Sequence, residues 1–267
     1  MIFKLNFLVC LAGLPSAGKS TLAHELKHEI LEEDSGQRVE IIDPDIIRTK
    51  LTGDTFEPKK EKIVRKKNLE KITYSLEQGK IVISDDLNYY SSMRHELREI
   101  ADKLNIPFFI IYVSTPLKSC LKWNKDRGSP IPNNVIYNIN EKFDKFDKYD
   151  WDTPDFIINI SEVENLTQKV NEILKIIKKR IKKFETDGNT TYSSEDFSHK
   201  IYNEKLDSLT REIVGRLLKD QELRRFKSKI ITERKNFVKK YLNKSIPISQ
   251  IPHKFETFLK KHLNIDI

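Results

Sequence analysis

The sequence predicts a three-layer α/β domain, in which helices cover both faces of a parallel sheet, followed by a small all-α domain. Over the first 183 residues, short apolar segments alternate with longer segments of helical periodicity. Most of the apolar segments are nearly continuous runs of Ile, Val and Phe, which is typical of strands that are buried on both faces. Because strands and helices alternate, we expect right-handed crossover connections between parallel strands.

Five strands and six helices are predicted in the α/β domain, which spans residues 1–183. The strand candidates are Leu5–Ala12, Arg38–Ile42, Lys80–Ser84, Pro107–Val113 and Asp155–Ile160. Helical periodicity covers residues 18–33, 57–78, 91–104, 116–127, 132–143 and 162–183.

The rest of the chain predicts a linker and a second domain. Residues 184–198 are polar and include Gly, Ser, Thr and Asp, a composition that favours a linker. From residue 199 onward apolar residues recur at helical spacing, and the segment Ser245–Pro252 predicts a turn before a last short helix. The sequence therefore predicts a helical domain over residues 199–267.

Positive charge is concentrated in this helical domain. The chain of 267 residues has a formal net charge of +8. Between Arg211 and Lys261 there are 15 Lys or Arg against 5 Asp or Glu, a surplus of ten, so the remaining residues are slightly negative in sum. A basic segment beside a near-neutral domain is typical of a protein with a nucleic-acid partner, although a solvated lysine-rich surface has the same composition.

Cysteine spacing and hydropathy argue against a metal-binding, disulfide-stabilised, secreted or membrane protein. Cys10 and Cys120 are far apart and show neither metal-ligand spacing nor a disulfide framework, so we expect a reducing, cytoplasmic compartment. The apolar start of the chain leads straight into a glycine-rich loop, which favours a buried first strand over a secretory signal. No stretch approaches 18 consecutive apolar residues, so no membrane partner is expected.

The glycine-rich loop, GLPSAGKS at residues 13–20, matches the phosphate-binding pattern G-x-x-x-x-G-K-[ST]. It follows a predicted strand and opens a predicted helix, which is the context that this motif requires. The glycines let backbone N–H groups turn toward the phosphates, Lys19 brings a cation to the β- and γ-oxygens, and the hydroxyl of Ser20 ligates Mg²⁺. We therefore predict that ATP and Mg²⁺ bind at Gly13, Leu14, Pro15, Ser16, Ala17, Gly18, Lys19, Ser20 and Thr21.

A candidate catalytic pair follows the second predicted strand. A carboxylate at the carboxyl end of a parallel strand lies in the crevice where ligands bind. We predict that Asp45 accepts the proton of an acceptor hydroxyl, and that Arg48, one helical turn later on the same face, holds phosphate. The alternative is that Asp45 is the N-cap of a helix over Ile46–Leu51.

The third predicted strand ends in Asp85 and Asp86, and an acid in this position is how enzymes with this loop hold Mg²⁺. Asp85 directly ends the strand and is the better candidate for a metal ligand, whereas Asp86 faces the substrate or caps the turn. Asn88 and Arg94, which follow the acidic pair, are expected to meet the substrate.

Arg127 closes the predicted helix over residues 116–127. A mobile arginine that covers the γ-phosphate would stabilise the charge of a phosphoryl-transfer transition state. The alternative is that Arg127 interacts only with the C-terminal end of its own helix dipole. Small kinases often supply two such arginines at the spacing R-x-x-x-R, but here the earlier position is Trp123, with Lys122 beside it.

Three segments together resemble one family of kinases. They are GLPSAGKST at residues 13–21, DDLNYYSSMRHEL at 85–97, and NKDRGSPIPNNVI, EKFD and KYDWDTP within 124–154. These segments and the helical tail resemble the archaeal O-phosphoseryl-tRNA(Sec) kinases, and the likeness covers most of the chain. Because many kinases share the phosphate loop, the other two segments carry the resemblance.

The resemblance implies an enzyme that transfers the γ-phosphate of ATP to the seryl hydroxyl of Ser-tRNA(Sec) for selenocysteine synthesis. The catalytic Asp and Arg of the family correspond to Asp45 and Arg48, and the second arginine of its R-x-x-x-R motif corresponds to Arg127. The first arginine corresponds to Trp123, which is a departure. Either Lys122 takes its place imperfectly, since a lysine is not a bidentate fork, or the first arginine is dispensable.

In this family the C-terminal module binds the D-arm of the tRNA, which the resemblance offers as a reason for the basic surplus. Lysine and arginine side chains on a helix would neutralise backbone phosphates of an RNA that is read largely by its shape. The candidates are Arg211, Arg216, Arg224, Arg225, Lys227, Arg234, Lys239 and Lys240, each of which could also be a solvated surface charge. No DNA partner is expected, and the oligomeric state stays open, a homodimer included.

Three other functions compete with this interpretation. The Kti12-like ATPases have a similar phosphate loop, an acidic pair followed by Asn-Tyr, and a tail directed at tRNA, but no seryl acceptor. A small-molecule or polynucleotide kinase with an unrelated helical appendage is the second. A non-catalytic RNA-binding protein that uses nucleotide only as a switch is the third.

Overall fold

A computed structural model describes residues 3, 5–53, 58–146, 149–186, 194–242 and 246–263. The chain divides into two compact units, Met1–Asn189 and Thr190–Ile267. Among the residues that the structure describes, no helix is both long and apolar enough to cross a membrane.

The first unit is built on a five-stranded parallel sheet with the strand order β2-β3-β1-β4-β5. The strands are β1 (Leu8–Gly13), β2 (Val39–Ile42), β3 (Ile81–Ser84), β4 (Phe108–Val113) and β5 (Phe156–Ile158). The central strand β1 is buried along its whole length. Because all strands run the same way, the segments that follow them meet at one edge of the sheet.

Helices cover both faces of this sheet. The first unit contains α1 (Lys19–Glu33), α2 (Pro44–Thr52), α3 (Glu61–Glu77), α4 (Ser91–Leu104), α5 (Leu117–Asp126), α6 (Asn133–Lys142) and α7 (Leu166–Thr186). Alternate residues of β1 enter two separate cores: Val9 and Leu11 pack in the core with α1 and α7, and Leu8 and Cys10 pack in the core with α3 and α4. Two buried faces explain why the strand is apolar without alternation.

The structure confirms the predicted parallel sheet and its flanking helices, and each strand begins and ends within three residues of its predicted bounds. The short helix α2 is absent from the six predicted helical stretches, and only its part from Ile46 to Leu51 was considered as a helix. Helix α7 begins at Leu166 rather than at residue 162, because residues Ile160–Glu162 form a separate 3-10 turn.

The second unit consists of α8 (Ser194–Leu217), α9 (Gln221–Arg224), α10 (Lys227–Tyr241) and α11 (Ile251–Leu263). Its core contains the buried side chains of Leu206, Phe237 and Phe255, one from each of the three long helices. Helix α8 begins inside the segment that was predicted as a linker, residues 184–198, of which residues 187–193 lie outside the described part of the chain.

A buried ion pair fixes the segment after β3 to the segment before β5. The side chains of Arg94, on α4, and Asp152 are both fully buried, and two bonds of 2.6 and 2.5 Å join them. Arg94 also donates to the carbonyl oxygen of Asn88 at 2.8 Å, and its guanidinium lies 4.3 Å from the ring centroid of Phe146. Arg94 is therefore held by the protein itself, and the expectation that it meets the substrate is wrong.

We expect Arg94→Met to destabilise the first unit by about 3–5 kcal/mol, because the fully buried carboxylate of Asp152 would lose its guanidinium partner. Urea unfolding followed by circular dichroism measures this loss. The matched control is Arg98→Met on the same helix, whose partner Asp102 is partly exposed and whose loss should cost about 1 kcal/mol or less. Equal, small losses for the two variants would contradict the assignment.

Candidate active site

The phosphate loop connects β1 to α1 at the carboxyl edge of the sheet. A side chain at Gly13 would place its Cβ 2.7 Å from the carbonyl oxygen of Val113, so only glycine fits against β4. Gly18 has a φ of +96°, and a Cβ there would lie 3.2 Å from the side chain of Ile160. Ser16 also has a positive φ, of 60°. The loop thus has the left-handed backbone turns that direct N–H groups into an anion-binding concavity.

The ammonium group of Lys19 lies inside this concavity. Its side chain is 7% exposed, and Nζ donates hydrogen bonds to the carbonyl oxygens of Gly13 at 3.2 Å and Leu14 at 2.7 Å. Burial lowers the pKa of Lys19, and the carboxylate of Asp85 opposes that change. Helix α1, which begins at Lys19, has no acidic residue in its first turn and no side-chain cap, so its first N–H groups can face a phosphate.

Ser20 lies close to Asp85 across the end of the loop. Burial raises the pKa of Asp85, and the neighbouring hydroxyl of Ser20 and the charge of Lys19 counteract it. A hydroxyl and a carboxylate are the hard oxygen donors that Mg²⁺ prefers, and together with nucleotide phosphates they would hold the ion in the way the sequence predicts. The residues present therefore fit a magnesium ion.

The second acid, Asp86, has different neighbours. Its carboxylate lies 3.2 Å from Nη1 of Arg65, on α3, and accepts a hydrogen bond of 2.6 Å from the N–H of Leu87. Arg65 also donates to the carbonyl oxygen of Met93 at 2.7 Å and to Glu96 at 2.9 Å. Asp85 therefore lies beside Ser20, whereas Asp86 binds Arg65 and so helps to join α3 to the start of α4.

Asp45 lies in the first turn of α2, beside the phosphate loop. The strand ends are level: Ile42 is paired with Ser84, and the N–H of Asp85 donates to the carbonyl oxygen of Ile42 at 3.0 Å. The N-cap of α2 is Asp43, whose side chain accepts the N–H of Asp45 at 2.7 Å, so Asp45 itself is not the cap. With 76% of its side chain exposed, Asp45 is open to an incoming hydroxyl.

Arg48 is held between two acids. It forms an ion pair with Asp45 one turn earlier, and a bidentate pair of 2.7 and 3.0 Å with Glu61 at the start of α3. The hydrogen bonds that Arg48 donates to Glu61 raise the pKa of Arg48. Sequence reasoning missed Glu61, because its partner is thirteen residues away on another helix and no local pattern connects the two.

Sequence reasoning also missed Asp43. The Asp-Pro pair directly after a strand is the signal that could have found it, since Pro is favoured at the first helical position after an N-cap acid. Burial, together with Asp45, Asp85 and Asp86 nearby, raises the pKa of Asp43 to about 6. Asp43 thus adds a fourth carboxyl group to the acidic edge of the site.

This raised pKa makes stability depend on pH. Between about pH 4 and pH 6 the folded chain binds a proton at Asp43 that the unfolded chain has released, so the free energy of unfolding falls as the pH rises through this window. Asp43→Asn keeps a good N-cap without the charge. We expect it to match the parent near pH 4 and to be more stable by about 1 kcal/mol at pH 7, after allowance for the partial exposure of the side chain. Urea titrations at both pH values, without Mg²⁺, measure the difference, and identical pH profiles would contradict it.

Arg127 reaches the phosphate loop from the end of α5. Its Nη2 donates to Oγ of Ser16 at 2.5 Å, across 111 residues of sequence. The alternative, that Arg127 serves only its own helix end, does not explain this contact. The arrangement places one guanidinium over the loop in which the β- and γ-phosphates would lie.

We expect Arg127→Ala to lower kcat by about 10²- to 10³-fold with a small change in the KM for ATP, because this guanidinium would stabilise charge that develops in the transition state. Steady-state phosphotransfer assays at varied ATP measure both constants. The control is Lys125→Ala, an exposed cation on the same helix, which should leave kcat unchanged. A rise in KM alone would mean that Arg127 contributes only ground-state binding.

Asn88 does not face a substrate. It is fully buried, has a φ of +39°, and its Nδ2 donates to the carbonyl oxygen of Leu11 on β1 at 2.8 Å. The expectation that Asn88 meets the substrate is therefore wrong, for the same reason as for Arg94: both side chains hold the backbone around the site.

The basic candidates of the second unit separate into two groups. Arg234 is 7% exposed and lies 3.0 Å from Asp207, which also accepts a bond of 2.9 Å from Arg211. Arg234 joins α10 to α8, whereas Arg211 pairs with Asp207 within α8, so Arg234 is not available to an RNA phosphate and Arg211 is only partly so. The exposed candidates are Arg216, which is paired with Glu256, and Arg224, Arg225, Lys227, Lys239 and Lys240.

Known proteins resemble the chain over both units. A family model described as chromatin associated protein KTI12 matches residues 7–265. An L-seryl-tRNA(Sec) kinase of Methanococcus maripaludis is 36% identical over 264 residues, which are 96% of this chain and 99% of that protein. A KTI12 homolog of Xenopus laevis is 26% identical over 218 residues, which are 80% of this chain and 76% of that protein.

Solved structures resemble about two thirds of the chain. The Kti12 of Chaetomium thermophilum, in complex with ADP-AlF3, covers 63% of this chain and 97% of its own at a TM-score of 0.53 and 23% identity. The APS kinase CysC of Mycobacterium tuberculosis, in complex with AMPPNP and APS, covers 65% and 98% at a TM-score of 0.52 and 20% identity. These two likenesses show the fold, and the sequence matches show the family: the chain belongs to the KTI12 family of P-loop proteins and, within it, stands with the L-seryl-tRNA(Sec) kinases.

Proposed function

We propose that this protein transfers the γ-phosphate of ATP to the seryl hydroxyl of Ser-tRNA(Sec), giving O-phosphoseryl-tRNA(Sec) and ADP. The observation that carries the proposal is the 36% identity to an L-seryl-tRNA(Sec) kinase over 96% of the chain. The geometry supports it, since a phosphate loop, an exposed carboxylate and two arginines meet at one edge of the sheet. In phosphoryl transfer a protein contributes mainly by positioning the reactants and by stabilising the charge of the transition state.

Each residue has a defined part in this reaction. The loop amides and Lys19 hold the β- and γ-phosphates, and Arg127 covers them from the side of Ser16. Ser20 and Asp85 would hold Mg²⁺, which when bound neutralises charge on the phosphate oxygens.

Asp45 and Arg48 act on the acceptor side of the site. The seryl oxygen bonds to the γ-phosphorus, the bond from that phosphorus to the β,γ-bridging oxygen breaks, and ADP leaves. The hydroxyl proton passes to the carboxylate of Asp45, which is exposed enough to reach it. Glu61 fixes the orientation of Arg48, whose guanidinium would hold the phosphate that is transferred.

The second unit is the proposed tRNA-binding domain. Its exposed cations would neutralise backbone phosphates, and the group that the structure supports is Arg216, Arg224, Arg225, Lys227, Lys239 and Lys240. The proposed site of action is the cytoplasm, where charged tRNA is found and where the buried thiols of Cys10 and Cys120 would stay reduced.

Incubation with ATP labelled in its γ-phosphate and Ser-tRNA(Sec) tests the proposal, with Ser-tRNA(Ser) as the matched control substrate. We expect labelled phosphoserine after deacylation of Ser-tRNA(Sec), and little from Ser-tRNA(Ser). Absence of label on both charged tRNAs would overturn the proposal.

The match to the KTI12 family model favours a second candidate, a tRNA-dependent ATPase without a seryl acceptor. The same incubation separates the two functions. If tRNA stimulates the release of inorganic phosphate and no phosphoserine forms, the protein is the ATPase.

A further inference from the structure

The hydroxyl of Thr115 joins three segments of the chain behind the phosphate loop. Thr115 follows the end of β4, and it is 3% exposed. Its Oγ1 donates to the carbonyl oxygen of Ala17 at 2.8 Å and accepts the N–H of Ile160 at 3.3 Å. A hydroxyl has one proton to donate, and here the loop receives it. One buried group therefore ties the loop to the segments that follow β4 and β5.

The bond from Thr115 fixes the direction of a peptide group in the loop. The carbonyl oxygen of Ala17 and the N–H of Gly18 belong to the same planar peptide, which is trans, so they point in opposite directions. The oxygen points toward the buried hydroxyl of Thr115. The N–H of Gly18 consequently points away from it, toward the concavity that the ammonium group of Lys19 enters.

Ile160 supports the same peptide group. Its N–H is held by Thr115, and a Cβ at Gly18 would lie 3.2 Å from its side chain. Gly18 needs its φ of +96° to make this turn, a conformation that glycine adopts at little cost. The hydroxyl of Thr115 thus holds both the peptide before Gly18 and the residue that packs on Gly18.

The two glycines of the loop differ in what their N–H groups can do. The N–H of Gly13 donates to the carbonyl oxygen of Leu87 at 3.1 Å, so it is already used. The N–H of Gly18 donates no hydrogen bond to the part of the chain that the structure describes. Gly18 therefore has a donor for a ligand, and Gly13 does not.

We propose that Thr115 is a positioning residue of the nucleotide site, whose hydroxyl holds the Ala17–Gly18 peptide so that the N–H of Gly18 donates to a phosphate oxygen of ATP. The inference rests on the proposed use of ATP. An amide that is already turned toward the anion does not have to reorganise when the anion binds. Because such an amide binds the phosphates in the ground state as well as in the transition state, Thr115 should set the KM for ATP more than kcat.

Binding to variants at position 115 tests this role. Thr115→Ala removes the hydroxyl, and Thr115→Ser keeps it. We expect Thr115→Ala to weaken ATP about 10-fold or more, and inorganic tripolyphosphate, which has no base, by the same factor, whereas Thr115→Ser should bind both as the parent does. Titration calorimetry measures the affinities. The matched control is Thr73→Ala, whose hydroxyl bonds within α3 to the carbonyl oxygen of Leu69 at 2.9 Å, and which should change neither affinity.

Nuclear magnetic resonance tests the direction of the peptide group in the parent protein. Labelling of alanine carbonyl carbons with ¹³C and of glycine nitrogens with ¹⁵N selects Ala–Gly peptides, and the chain has two, Ala12–Gly13 and Ala17–Gly18. We expect tripolyphosphate to shift the N–H signal of Gly18 strongly and that of Gly13, which is bonded to Leu87, much less. In Thr115→Ala the carbonyl signal of Ala17 should move before any ligand is added.

Three results would overturn the inference: unchanged tripolyphosphate affinity in Thr115→Ala, an equal loss in Thr115→Ser, or a Gly18 signal that tripolyphosphate does not shift. The third needs no variant, so it decides the question even if Thr115→Ala does not fold. None of these readouts uses tRNA. A protein that gives the expected binding but phosphorylates no seryl-tRNA would refute the proposed kinase and leave Thr115 assigned. Formation of phosphoseryl-tRNA with an unchanged KM for ATP in Thr115→Ala would do the reverse.

Discussion

Lys19→Ala is expected to lower phosphotransfer by at least about 10³-fold, the largest effect of any single substitution in this chain. The ammonium group lies inside the loop, bonded to the carbonyl oxygens of Gly13 and Leu14. Its charge acts where negative charge concentrates on the β- and γ-oxygens during transfer, and such buried, preorganised charges have large effects on kcat.

Single-turnover assays with saturating ATP measure this loss, and circular dichroism shows whether the variant folds. Lys19→Met is the sharper variant, because it keeps most of the side-chain volume and removes only the charge. The matched control is Lys27→Ala, a partly exposed lysine two turns later on the same helix, for which we expect unchanged kcat. Normal turnover in Lys19→Met would show that the loop does not hold the reacting phosphates.

The phosphate loop could be predicted from the sequence because the interactions that shape it are largely local. Lys19 bonds to carbonyl oxygens five and six residues earlier, and the left-handed turn at Gly18 needs glycine. The strands could also be predicted from the sequence, since a strand that is buried on both faces of the sheet is a continuous apolar run. In both cases a short segment carries all of the information.

The partners of the arginines could not be predicted in this way. Arg48 is bonded to Glu61, Arg94 to Asp152, and Arg127 to Ser16, over separations of 13, 58 and 111 residues. Such pairs depend on how the helices pack on the sheet, and the hydrophobic periodicity of the sequence does not predict that packing. Burial decides their role: Arg94 is sealed inside the protein and serves stability, whereas Arg127 extends over the loop and can act on a ligand.

The same limit applies to the basic surface. Charge counts identify a segment with a surplus of cations but do not say which of them face solvent. Arg234 shows the difference, since it is buried against Asp207, whereas Lys239 and Lys240 on the same helix are exposed. An RNA-binding test should therefore compare Lys239 and Lys240, which are exposed, with Arg234, whose loss would act through folding.

Asp45→Asn is expected to lower kcat by about 10²- to 10⁴-fold while the KM for ATP changes little. The carboxylate is 76% exposed, lies in the first turn of α2, and is held toward Arg48 by their ion pair. The amide is nearly the same size but cannot take the seryl proton, so only the step that needs a base should slow. Because Asp43 and not Asp45 caps the helix, the substitution should leave the fold and the loop intact.

Two companion variants decide how this loss is interpreted. Asp102→Asn removes another exposed acid with an arginine partner, on α4, and should leave kcat unchanged. Glu61→Gln weakens the hydrogen bonds that position Arg48 and leaves Asp45 unchanged. If the carboxylate of Asp45 is the base, Glu61→Gln should lower kcat less than Asp45→Asn does. If Asp45→Asn instead weakened ATP or Mg²⁺ binding at normal kcat, the carboxylate would belong with Asp85 on the metal side of the nucleotide. The seryl proton would then need another acceptor, and Asp43 is the nearest acid at the same strand end.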